Sequence, residues 1–144
     1  MKFLKSLSLS LFLMLALLQG CSSNDSNDPD VVFARSAFSA LASGSSSAEG
    51  MIDWPNLQGT GMDFGAQYNA LPNETERTGF RQAAVSSFSA SFQKTGASAD
   101  SLTNWRLQDG ASHVVAADAP NGKTLLLTIS HPDGTPKISD IEMN

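Results

Sequence analysis

His113 and His131 are the side chains of this 144-residue chain whose ordinary titration falls near neutral pH, so acid–base or metal chemistry would start from them. They stand 18 positions apart, and the single cysteine, Cys21, is remote from both in sequence. A metal site would therefore need carboxylates contributed by the fold, and the sequence alone assigns no metal ligands, no catalytic residues and no cofactor. His113 opens an extended segment with Val115 on the same face, which makes it the one plausible titrating group inside a cavity, although a hydrogen-bonded, non-catalytic role is the commoner fate of such a residue. His131 precedes Pro132 and reads as a solvated turn residue. Asp140 and Glu142 share one face of a C-terminal strand, where paired carboxylates can exchange protons, but like charges there more often mark a solvated edge. His-Glu-x-x-His, Gly-x-Ser-x-Gly and the P-loop are absent. Gly59-Thr60-Gly61-Met62-Asp63-Phe64-Gly65 has one residue too many for a dinucleotide loop.

The elements that must position these groups fall into a helical half and a sheet half. Asp28 caps a helix with Pro29 at its first position, and Phe33, Ala34, Ala37, Phe38 and Leu41 form its apolar stripe up to a stop at Gly44. Ser46-Ser47-Ala48-Glu49 fits a capping box for a short turn of helix that ends before Pro55. Residues 56–65 read as loop, with a brief helix over 64–71. Asn73 and Glu76 then begin an amphipathic helix of about 20 residues with Phe80, Ala84, Phe88 and Phe92 four apart and Val85 beside them, closed by Lys94 and Gly96. After Asp100 the period changes to two. Strands are expected over 101–107, 112–118, 123–130 and 137–143, joined by turns at Asp109-Gly110, Asn121-Gly122 and Pro132-Asp133-Gly134, and such short links force antiparallel neighbours. Ile138 and Ile141 have opposite parity, which requires either two covered faces or a bulge.

Ahead of this domain, Lys2 and Lys5 precede an apolar run from Leu7 to Leu18, about 12 residues and too short to span a bilayer at 1.5 Å per residue. The run ends at Leu18-Gln19-Gly20-Cys21, which resembles the lipobox of bacterial lipoproteins, with Gln19 a less usual residue at its place. That resemblance implies a leader over residues 1–20 and a diacylglycerol thioether on Cys21, an anchor in which each buried methylene contributes about 0.8 kcal/mol. Ser22, in place of the Asp that retains such proteins at the inner membrane, implies the periplasmic face of the outer membrane. Residues 21–30 contain no large apolar side chain and read as a solvated tether. Seven cationic side chains against 14 acidic ones remain after the leader, which excludes nucleic acid as a natural partner, and the lone cysteine excludes an internal disulfide framework.

Residues 31–144 are thus expected to form one α+β domain, with the long helix packed on a curved, four-stranded antiparallel sheet. The order of elements and the ending Lys137-Ile138-Ser139-Asp140-Ile141-Glu142 resemble the cystatin-like or nuclear transport factor 2-like superfamily. That resemblance implies a cone-shaped pocket, for which Trp54, Tyr68, Trp105 and His113 are the candidate lining residues, with Asp53 and Asp63 near its mouth. Either tryptophan is also large enough to plug such a pocket. The expected function is a membrane-anchored, non-enzymatic module for a small apolar ligand or an envelope protein. The alternatives are an isomerase- or hydrolase-type enzyme of that superfamily and a structural or inhibitory envelope protein.

Overall fold

The computed structural model describes residues 25–144, so Cys21 and the leader lie outside the described residues. After a single 3-10 turn at Asp25–Asn27 the chain enters helix α1, Pro29–Ala42. Asp28 caps it as expected, its Oδ1 accepting the Asp30 amide at 2.9 Å. Val31, Ala34, Ala37, Phe38 and Leu41 form the buried face, and the two alanines let the helix axis approach the sheet closely. Gly44, at φ +71°, ends the helix, with the Ser45 amide donating back to the Ala40 carbonyl at 2.9 Å.

The following segment is a 3-10 helix, Ser46–Met51, capped by Ser45, one residue before the expected box. Ile52 makes a parallel bridge to Ile138, and a second 3-10 turn, Trp54–Asn56, follows at Pro55. The stretch expected to be loop then forms a small hairpin, β1 (Gln58–Gly59) and β2 (Met62–Asp63), whose two-residue turn takes positive φ at Thr60 (+44°) and Gly61 (+81°), the handedness that matches strand twist. Helix α2, Phe64–Asn69, and helix α3, Glu74–Lys94, come next. Asn73 caps α3 by accepting the Glu76 amide at 3.0 Å.

The last third is an antiparallel meander of β3 (Thr103–Leu107), β4 (Val114–Asp118), β5 (Thr124–Ser130) and β6 (Lys137–Met143). The domain is α+β, but the sheet is six-stranded and mixed, in the order β2-β1-β6-β5-β4-β3, because β1 adds in parallel to β6. The expectation of four antiparallel strands is corrected here: β1 and β2 are two residues each, too short to show a period of two in the sequence. A bulge answers the parity of β6. Ile129 pairs with Ile138 and Leu127 with Ile141, so one extra residue on β6 turns both isoleucines to the core side.

A second correction concerns the helix layer. α1, not α3, lies over β3, β4 and β5, while α3 packs on α1 and on the 3-10 segment 46–51. Phe38 and Val31 sit with Val115, Leu125, Leu127, Ile129 and Ile138 in the main core, whereas α3 fully buries only Val85 and Ser89. α1 lays Val31, Ala34, Ala37 and Phe38 into that core, while Phe88 and Phe92 of α3 reach only its rim. Leu41, Ala48, Ile52, Trp54, Leu57 and Val85 make a second cluster beyond the C-terminal end of α1.

Candidate functional site

Two places in the domain bring chemistry together. The first is a cleft of about 510 Å³ between α3, the β1–β2 hairpin and β6. Trp54 is 5% exposed and forms its inner wall with Ile52, Leu57 and Phe64. The indole is fixed by its Nε1–H, which donates to the Glu49 carbonyl at 2.8 Å, and by the edge of Phe80 at 6.2 Å between ring centres. Phe80, Ala84 and Phe88 of α3 supply the opposite wall, and Met62, 51% exposed, stands at the rim. Polar groups in the lining are the uncharged Gln58, Thr60, Ser87 and Ser91; none of the lining side chains titrates near neutrality.

Around the outside of that cleft, Arg81 ties three elements together. It pairs with Glu74 at 2.8 Å, approaches Glu49 at 3.7 Å, and donates to the Tyr68 hydroxyl at 2.9 Å. The hydrogen bond from Arg81 holds the Glu74 carboxyl below the usual carboxylate range, and Glu74 in turn raises the Arg81 guanidinium. α2 is seated by Gly65: a Cβ there would lie 2.5 Å from the Pro55 carbonyl oxygen, so only a glycine permits this approach.

The second place is the junction of α1 with the ends of β4 and β5. Asp30, in the first turn of α1, is 7% exposed. Its Oδ2 lies 2.7 Å from His113 Nδ1 and its Oδ1 lies 2.9 Å from His131 Nε2, with the imidazole centres 4.8 Å apart. Antiparallel pairing explains the meeting of the histidines: His113 directly precedes β4 and His131 directly follows β5. His113 takes the left-handed conformation, φ +64°, and its carbonyl accepts the Ile129 amide at 2.7 Å, so the strained turn is pinned to β5.

Of the four residues expected to line one pocket, Trp54 and Tyr68 are brought together, with Asp53, along an open pocket of about 750 Å³, whereas Trp105 and His113 lie elsewhere. Trp54 lines the cleft, and Tyr68 packs behind it at 6.3 Å with its hydroxyl on Arg81. Trp105 lies against Phe38 at 6.3 Å, beside a separate hollow shared with Val31 and Arg35. His113 belongs to the Asp30 cluster. Asp53 and Asp63 have structural partners: Asp53 accepts from Ser130 Oγ at 2.8 Å and from Asn56, while Asp63 caps α2 through the Ala66 amide at 2.7 Å. Asp140 and Glu142 pair across the sheet with Thr128 and Leu126, on the face turned away from the core.

Sequence reasoning missed Asp30, which falls in the stretch read as tether. The signal was present in the Asp-Pro-Asp spacing, because once Asp28 is the cap and Pro29 the first helical residue, Asp30 must lie in the first turn. Comparison with known protein families, curated proteins and solved structures finds no match for this chain.

Proposed function

We propose that this chain is a lipid-anchored protein of the bacterial envelope whose α+β domain binds a small, uncharged, apolar ligand in the cleft between α3 and the β1–β2 hairpin. The observation that carries the reading is the cleft itself, about 510 Å³ with aromatic and aliphatic walls and a few uncharged polar groups, within the roughly 300–1,000 Å³ of small-molecule sites. Its walls hold no charge to attract a charged ligand and no acid or base to turn one over, which favours binding over catalysis. An isomerase- or hydrolase-type activity in this cleft would need a carboxylate or His113 in its lining, which holds neither. The envelope location rests on the basic start, the short apolar run and Leu18-Gln19-Gly20-Cys21.

Titration of the Cys21→Ser chain with the neutral probe N-phenyl-1-naphthylamine tests the cleft. One saturable site is expected, weakened at least tenfold by Ala84→Trp, which fills the α3 wall. Binding that does not saturate, or that Ala84→Trp leaves unchanged, refutes the assignment. Palmitate labelling of cells producing the unaltered chain and the Cys21→Ser variant tests the anchor separately: label on the first and none on the second is expected.

A further inference from the structure

We infer that Asp30, His113 and His131 form a binding site for one divalent transition-metal ion of the zinc class. The donor set, two imidazole nitrogens and one carboxylate, suits Zn²⁺, Ni²⁺ or Cu²⁺ rather than Mg²⁺ or Ca²⁺, which take oxygen ligands. Each imidazole already addresses a different oxygen of the same carboxylate, and the three donor atoms all lie within 4.8 Å of one another. A tetrahedral ion bound at 2.0–2.1 Å needs its donors about 3.3 Å apart. The nitrogen–oxygen distance to whichever carboxylate oxygen binds, 2.7 or 2.9 Å, would open by about half an ångström, and the other donor separations, each at most 4.8 Å, would close by at most about 1.5 Å.

Small side-chain rotations supply such shifts, because the backbones beneath are held. Asp30 stands in the capped first turn of a 14-residue helix. His113 is pinned by its carbonyl to Ile129, and His131 leads into the proline turn Pro132–Gly134, with its own carbonyl accepting the Gly134 amide at 3.1 Å. Access is open as well: the His113 and His131 side chains are 57% and 34% exposed, while that of Asp30 is 11% exposed. An ion could enter from solvent and keep water in its remaining position.

Two neutral imidazoles can each donate one N–H to the carboxylate, and a dication would replace those two hydrogen bonds with three coordinate bonds, two from neutral imidazoles and one from the carboxylate. The bound ion would fasten the start of α1 to the ends of β4 and β5, contacts separated by 83 and 101 residues in the chain. The cluster shares no residue with the lining of the apolar cleft, so the two sites stand or fall independently.

The test uses the full chain in detergent micelles after removal of metal with EDTA. Calorimetric titration with ZnCl₂ should give one ion per chain, and MgCl₂ should give no saturable binding. Asp30→Asn, His113→Asn and His131→Gln should each weaken Zn²⁺ at least about tenfold, the lower end of what losing even an outer-shell partner does. At one Zn²⁺ concentration, the rise in melting temperature should be clearly smaller for His131→Gln than for the unaltered chain. Asn at position 113 tolerates the left-handed backbone, and Asp28 remains to cap α1 in Asp30→Asn, so these variants keep the fold. Cu²⁺ loaded into the unaltered chain should show electron-spin-resonance coupling to two imidazole nitrogens, a readout that requires no variant. Absence of saturation, an affinity indifferent to all three substitutions, or coupling to fewer than two nitrogens overturns the site.

Discussion

Replacement of Phe38 by Ala is the sharpest probe of how the helices are layered. Phe38 is 1% exposed and meets Phe88 and Phe92 edge-on, at 5.9 and 5.3 Å between ring centres, and Trp105 at 6.3 Å. Removing a fully buried phenyl ring costs about 3–5 kcal/mol, and each edge-to-face pair accounts for about 0.5–1.5 kcal/mol beyond area burial. Phe88 and Phe92 are only half-buried, so their replacement should cost about half as much, roughly 1.5–2.5 kcal/mol. A domain of this size has about 6–18 kcal/mol in all. Phe38→Ala should therefore lower the melting temperature by about 10–20 °C and Phe92→Ala by about half of that. Urea unfolding followed by circular dichroism, in the Cys21→Ser background, gives the ordering directly if the denaturant slope is unchanged among variants. Equal costs at positions 38 and 92, or a larger cost at 92, would mean that α3 rather than α1 is the layer on the sheet, and the description of the core would be wrong.

Gly65→Ala should destabilise by about 1–3 kcal/mol, seen as a lower urea midpoint, because its methyl would meet the Pro55 carbonyl at 2.5 Å and push α2 off the turn beneath it. Asn73→Ala should cost about 0.5–2 kcal/mol by removing the cap of α3, and Asn73→Asp should recover most of it. Asp118 is held below the usual carboxylate range, first by the Asn104 amide and then by Arg106. A folded-state value below the unfolded one contributes stability that is present above about pH 4 and lost as pH falls through the depressed value, so acid should weaken the domain there. Asp118→Asn should flatten the loss of melting temperature below pH 4; because the group is exposed the change will be small, and a steeper loss would contradict the assignment.

Local chemistry determined much of this protein. Asp28 before Pro29, Asn73 with Glu76, and Gly44 and Gly96 set the ends of α1 and α3, because a cap answers to its own neighbouring amides and needs nothing from the rest of the chain. Leu125, Leu127 and Ile129 on one face, against Leu126, Thr128 and Ser130 on the other, likewise identified the central strand, since one face of it must leave water. The apolar start and the tetrapeptide ending at Cys21 carried the proposal of an anchor without any fold at all. What tertiary structure alone decided were the meetings between residues distant in sequence. Two-residue strands carry no pattern of their own, and β1 exists because β6 offers it an edge. The bulge on β6 is a matter of pairing with β5, and the seating of α1 rather than α3 on the sheet is decided by packing between elements far apart in the chain. The same holds for the chemistry: Trp54 and Tyr68 meet while Trp105 and His113 lie apart from them, whereas Asp30, His113 and His131 share a place because the end of one strand, the start of its neighbour and the first turn of a helix converge there.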